Sequence, residues 1–204
     1  MTADTKTIDV YRHRVADYQE MTADAEDYRN LDKFIEMLPN GGRVLDIGAG
    51  PGHDAKIMAK AGLNVVALEP TPEFADLIEK EGIEVKRKTF ADINEVQLYD
   101  GAWASFSLLH AKREDMPSYL VKIATALKAD GLFVLGMKTG HGERRDKLGR
   151  FYSYYSVDDL VLLLQEAGFK TLAIKQGSAR GLAGDIDPYV VIEATKSPHL
   201  QSSE

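Results

Sequence analysis

The stretch VLDIGAGPGHDA, residues 44–55, runs from aliphatic residues into three glycines within five positions, Gly48, Gly50 and Gly52, and then turns polar. A short aliphatic run of this kind suits a buried strand, and the glycines let the chain leave it sharply with its amides uncovered. The helix expected next points its positive end at the same place, which favours a carboxylate or a phosphate there. In an open parallel sheet that place is the crevice beyond the strand's carboxyl end, where strand order reverses. The chain is therefore expected to fold as α/β with a ligand beside its first strand.

Leu31, Phe34, Ile35 and Leu38 recur at helical spacing until Pro39-Asn40-Gly41-Gly42 ends that helix. Strands are expected over residues 43–47, 64–68, 84–88, 101–105 and 132–138, with helices over 53–61, 72–81 and 116–128. Such alternation builds right-handed βαβ units, hence a doubly wound, mainly parallel sheet with helices on both faces. A helix over 157–167 and strands over 170–176 and 189–195 follow. No helical pattern separates the last two strands, so they are expected to pair antiparallel and complete a seven-stranded sheet. The glycine-rich GSARGLAGDIDP, residues 177–188, reads as a loop between them. The length of 204 residues fits a single domain over 1–196, with a helical cap over 1–40 and a frayed polar tail over 197–204.

Asp and Glu number 32 against 25 Lys and Arg, a net charge of -7. Tracking a polyphosphate needs clustered cations, so nucleic acid is not the expected partner. The chain has no cysteine, which excludes disulfides, thiolate nucleophiles and thiolate metal sites and suits a reducing cytoplasm. MTADTKTIDV lacks an apolar core of signal-peptide length, and the longest aliphatic run, residues 160–164, is far too short to span a bilayer. A cytoplasmic location without membrane insertion is expected. His141 and Glu143 lack a third ligand nearby, so no metal is expected. Lys86, Arg87 and Lys88 read as the exposed flank of an edge strand, Arg144 and Arg145 as solvent-facing, and Trp103 as core.

A dinucleotide fingerprint starting at Gly48 requires glycine at position 53, where His53 stands, and the Gly-Lys-Ser or Gly-Lys-Thr ending of a P-loop is missing. What stands there is a GxGxG turn just after Asp46, followed by Glu69 in VVALEPTPEF and Asp92 in TFADI, acids at two further strand ends. This set resembles the Rossmann-like, class I S-adenosylmethionine-dependent methyltransferases. The resemblance implies that Asp46 anchors the loop and the donor's ammonium, and that the Gly48-Ala49-Gly50 turn and Gly52 face its carboxylate. It implies that Glu69, followed by Pro70, accepts from the ribose hydroxyls. Asp92 and the Ile93 amide would meet the adenine, and Ser105 and Phe106 would lie beneath the methionine part. Tyr11 and Tyr18 share the family's pattern of an aromatic-bearing helix that closes over the donor.

The segment KTGHGERRDKLGRFYSYYS, residues 138–156, is a polar insertion after the fifth strand, a preferred place for function. Together with LLHAKRED it resembles the small-molecule methyltransferases related to the bacterial tellurite-resistance methyltransferases. Lys138, Arg150, Tyr152 and Tyr154 would then line a cationic, aromatic pocket for a small anionic or polarizable acceptor, with His110 facing it as the candidate catalytic residue. Transfer from a sulfonium is an in-line displacement, so orientation supplies much of the rate and a base is needed only if the acceptor must lose a proton. The expected function is methyl transfer from S-adenosylmethionine to a small-molecule acceptor, leaving S-adenosylhomocysteine. Two alternatives stay open: a regulatory protein that binds the donor without turnover, and an RNA or protein methyltransferase. The oligomeric state and the acceptor atom have no signature in the sequence.

Overall fold

The computed structural model of the chain describes residues 4–23 and 30–197. The expected tail, Ser197 apart, and parts of the expected cap (1–3 and 24–29) lie outside the described residues. The elements run α1 (Thr5–Arg12), α2 (Val15–Ala23), α3 (Leu31–Glu36), β1 (Arg43–Ile47), α4 (His53–Lys60), β2 (Asn64–Leu68), α5 (Pro72–Glu79) and β3 (Glu84–Lys86). They continue with β4 (Tyr99–Ser105), α6 (Met116–Ala126), β5 (Leu127–Lys138), β6 (Glu143–Arg145), β7 (Phe151–Ser153), α7 (Val157–Glu166), β8 (Phe169–Arg180) and β9 (Ile186–Lys196). Single 3-10 turns at Phe90–Asp92 and Leu108–His110 follow β3 and β4.

The seven-stranded sheet has the order β3-β2-β1-β4-β5-β9-β8. β1 to β5 are parallel, while β9 runs antiparallel to both β5 and β8. Strand order reverses between β1 and β4, so the crevice opens above those two strands. The period-2 pattern of the strands divides the core. Leu45 pairs across the sheet with Val66 and Ala102, and all three pack on the face covered by Leu120 and Ile123 of α6 and Leu160 of α7. Val44 and Trp103 point the other way, onto Leu31 and Phe34 of α3 and Met58 of α4. Each such large side chain removed from water stabilises the fold by about 1.5–3 kcal/mol.

Three expectations change. Helix α6 stops at Ala126 because Leu127 turns extended and pairs with Tyr99, so β5 begins at Leu127 and not at residue 132. Residues 177–188 are not a loop. They extend β8 and β9 into a long hairpin that turns only between Gly181 and Asp185. Gly177 serves there as empty space, since a Cβ on it would sit 2.5 Å from the Tyr189 hydroxyl across the ladder. The insertion at 138–156 is not an open polar loop either: β6 and β7 pair within it, and Tyr152, Ser153, Tyr154 and Tyr155 are buried. Trp103 is in the core, its Nε1 donating to Asp54 Oδ2 at 2.8 Å. Among the described residues no helix is long and apolar enough to cross a membrane.

Candidate active site

Gly48 leaves β1 with φ +69°, its amide donating to Leu68 O at 2.7 Å. A Cβ there would lie 2.4 Å from Ser107 Cβ, so the position holds only glycine without movement of the β4 end. Ser107 Oγ in turn donates to Ile47 O and ties the ends of β1 and β4 together. Glu69, at the end of β2, is buried, with Oε2 accepting from Gly50 N at 2.8 Å and Oε1 from Thr71 N at 2.7 Å. Burial pushes its carboxyl up to about 7, against the pull of the Thr71 and Gly50 donors.

Two cavities meet above these strand ends. One, of about 620 Å³, is bounded by Gly48, Gly50, Glu69, Pro70, Phe90 and His110 among others. The second, of about 560 Å³, is bounded by Asp46, Ala49, Lys138, Arg150, Tyr152 and the β8–β9 hairpin. Tyr11, Tyr18, Gly48, Ser105 and Phe106 belong to both walls. Phe106 has φ +55°, an outlying conformation for a bulky residue. Its amide is held by Gly136 O at 3.1 Å, and the missing Cβ of Gly136 makes room for its ring.

The amino-terminal segment roofs the junction. The expected tyrosine-bearing helix is two, α1 and α2, broken near His13, yet the Tyr11 and Tyr18 rings still meet edge to face at 5.2 Å and both lie against Phe74. The roof is fastened to the β6–β7 hairpin: Phe151 N donates to Thr7 Oγ1 at 2.8 Å, and Arg145 Nη2 to Asp4 Oδ2 at 2.7 Å. The bidentate Arg145 contact holds the Asp4 carboxyl far below the usual carboxylate range. Arg145 is thus exposed, as expected, but engaged.

Under the roof runs a chain of polar contacts. Arg150 is almost wholly buried, donating through Nε and Nη2 to Asp146 Oδ2 at 2.9 and 2.7 Å and through Nη1 to Tyr11 Oη at 3.0 Å. Tyr11 Oη also meets His110 Nε2 at 2.9 Å, and His110 Nδ1 lies 2.6 Å from Phe151 O. A carbonyl only accepts, so Nδ1 carries the hydrogen, Nε2 is the acceptor, and Tyr11 donates to it. Burial, joined by the nearby charges of Arg150 and Lys138, pushes His110 down to about 4, so it is neutral at pH 7.

The structure gathers Tyr11, Tyr18, Asp46, Gly48, Ala49, Gly50, Glu69, Pro70, Ser105, Phe106, His110, Lys138, Arg150 and Tyr152 on the two cavity walls. It leaves four expected residues off them. Asp92 is exposed, its Oδ2 taken by Thr89 N and Oγ1 at 2.9 and 2.8 Å, and Ile93 is packed in the core with its amide turned to Phe90 O. Thr89 and Phe90 line the cavity in their place. Tyr154 is buried beneath Arg144, whose guanidinium carbon lies 3.7 Å from the ring centre. Gly52 shapes the α4 start, where a Cβ would strike Ile78 at 2.6 Å.

The pocket around Lys138 is not the cationic one expected. Lys138 Nζ donates to Asp187 Oδ2 at 2.6 Å, just as Arg150 is paired with Asp146. Neither aspartate was singled out in the sequence. Asp146 four residues before Arg150 was a readable signal, whereas Asp187 lies 49 residues from Lys138 and has no local one.

Residues 11–174 match the family profile described as a methyltransferase domain. The chain belongs to the methyltransferase family. An uncharacterized methyltransferase of Staphylococcus carnosus is 26% identical over 168 residues, 78% of this chain and 81% of its own. Among solved structures the methyltransferase resembles the Burkholderia thailandensis 1,6-didemethyltoxoflavin-N1-methyltransferase, crystallised with 1,6-didemethyltoxoflavin and S-adenosylhomocysteine. That pair shares a TM-score of 0.69 and 23% identity over 97% of this chain and 92% of that one. A TehB-like S-adenosylmethionine-dependent methyltransferase of Corynebacterium glutamicum gives 0.69 and 17%, covering 92% and 98%. The [4+2]-cyclase SpnF gives 0.75 and 16%, covering 98% of each. At these identities the likeness to solved structures is one of fold.

Proposed function

We propose that this methyltransferase moves the methyl group of S-adenosylmethionine onto a small molecule, with the donor's adenosine in the Glu69 cavity and the acceptor in the Arg150 cavity. The observation that carries this is the shared wall of Tyr11, Tyr18, Gly48, Ser105 and Phe106, which lets a donor on one side meet an acceptor on the other. The fit to the donor rests on this chain's own geometry: Gly48 and Gly50 present backbone without side chains beside the buried Glu69 carboxylate. S-adenosylmethionine, when bound, supplies an electrophilic methyl group on a sulfonium.

In this assignment Glu69 accepts from the ribose hydroxyls, Asp46 faces the ammonium, and Thr89 and Phe90 flank the base. Tyr11 and Tyr18 exclude water from the junction, where orientation of donor and acceptor supplies much of the acceleration. Asp92 would meet the adenine amino group through Oδ1, its Oδ2 being held by Thr89. The bound heterocycle of the Burkholderia neighbour supports an acceptor of small-molecule size. The cysteine-free chain suits a cytoplasmic setting. Calorimetry with S-adenosylhomocysteine tests the donor side: Glu69→Ala should weaken binding about ten- to hundredfold through loss of about 1.4–2.8 kcal/mol. An unchanged Kd would remove Glu69 from the site.

A further inference from the structure

Resting on that assignment of the two cavities, we propose that the acceptor is an uncharged planar molecule bearing a hydrogen on the atom to be methylated, an aryl amine or hydroxyl, and that Tyr11 relays this hydrogen to His110. Charge in the second cavity argues for a neutral guest. With Asp46 turned to the donor's ammonium, its cations Lys138, Arg150 and Arg180 are met by Asp54 and Asp187 on the same wall and by Asp146 directly behind Arg150. An anion entering there meets as many carboxylates as cations, and a permanent cation faces Lys138 and Arg150. Shape argues for a flat one, since the rings of Phe106 and Tyr189 stand edge to face at 5.8 Å along that wall.

A neutral nucleophile becomes cationic as it is methylated, so a group that takes up the proton favours the transfer. The hydroxyl of Tyr11 is built for this. It is the one side-chain group in the polar chain that borders both cavities, and its hydrogen already points to His110 Nε2. Arg150 holds its oxygen in place through one lone pair and leaves the other for the acceptor, and the Phe151 carbonyl fixes the imidazole tautomer. The acceptor's lone pair forms the new bond to the methyl carbon while the carbon–sulfur bond breaks and sulfur keeps that electron pair. The acceptor's proton passes to Tyr11 Oη, and Tyr11's own proton passes to His110 Nε2, leaving an imidazolium that later releases it to solvent. His110 faces Tyr11, Tyr152, Arg150, Lys138 and Asp146, a setting that makes it a weak base. It therefore suits aryl amines and hydroxyls, whose methylated forms are acidic, and not aliphatic amines, whose ammonium forms keep their protons.

The test uses the full chain with methyl-labelled S-adenosylmethionine and four probes: catechol, aniline, N,N-dimethylaniline and benzoate. Label is expected in catechol or aniline, at least tenfold above the other two. Tyr11→Phe and His110→Gln should each lower that rate about a hundredfold while shifting the Kd for S-adenosylhomocysteine less than threefold. Nitrogen-15 NMR of the wild type saturated with S-adenosylhomocysteine supplies a readout apart from turnover. His110 should carry its hydrogen on Nδ1 at pH 7, and Tyr11→Phe should move the Nε2 signal. Transfer confined to N,N-dimethylaniline or benzoate, transfer to none of the four, or a hydrogen on Nε2 overturns the relay. Loss of S-adenosylhomocysteine binding in the wild type overturns the donor assignment as well, which separates the two failures.

Discussion

The Glu69 cavity and the Arg150 cavity are nearly equal in volume but hold their polar groups by different means. In the first, Glu69 is fixed by two backbone amides, those of Gly50 and Thr71, both within 19 residues of it. In the second, Arg150 is fixed by Asp146 and by Tyr11, and Lys138 by Asp187, so side chains hold side chains across up to 139 residues. A site held by backbone tolerates change around it as long as the turn survives. A site held by paired side chains loses its second member's support as soon as the first is removed.

The largest effect should therefore come from the second cavity. Arg150→Met leaves the Asp146 carboxylate without its partner and Tyr11 without its donor, and should cost about 3–5 kcal/mol in urea unfolding. The double change Arg150→Met with Asp146→Leu should recover at least half of that. Equal losses in both would mean that packing, and not pairing, holds this side together. Gly48→Ala attacks the backbone-held side at its one fragile point. The positive φ and the collision with Ser107 should cost about 2–4 kcal/mol and abolish S-adenosylhomocysteine binding. Binding within threefold of wild type would show that the turn yields more readily than its geometry implies.

Within the Glu69 cavity, pH separates His110 from Glu69 by sign. His110 sits at about 4 in the folded chain and near 6.5 when unfolded, so the unfolded state binds the proton more tightly between those values. Stability should fall as pH drops from about 6.5 to 4, by up to about 3 kcal/mol, and His110→Gln should flatten that slope in thermal melts. Glu69 behaves oppositely, its folded carboxyl being raised to about 7. Ionising it costs stability as pH climbs from about 4.5 to 7. Ribose hydroxyls donate to the ionised form, so S-adenosylhomocysteine should bind about tenfold more tightly at pH 8 than at pH 6. The same titration on Glu69→Gln should be flat, and a persisting slope would place the titrating group elsewhere.

Strand and helix positions followed from local pattern because hydrophobic period and glycine punctuation are written into consecutive residues: β1 and β2 fall where the aliphatic runs are, and Gly48 is where only glycine fits. Glu69 was legible for the same reason, since a strand-end acid is placed by the register of its own strand. For Asp92 the sequence showed the strand-end position but not the local turn in which Thr89 takes its Oδ2. Residues 177–188 misled because glycine there makes room for Tyr189 on another strand, a partner that local composition does not reveal.

The amino-acid order alone specified a parallel sheet, its switch point, and a crevice with an acid and side-chain-free glycines at its mouth, because those depend on interactions a few residues apart; that the turn's amides are taken by Leu68 O and Glu69 emerged only in the fold. Whether Lys138 and Arg150 present free charge or spent charge, and which nitrogen of His110 points at Tyr11, depended on Asp187, Asp146 and Phe151 arriving from distant segments. Coulomb pairing and hydrogen-bond direction act through space, so only the folded chain could decide them.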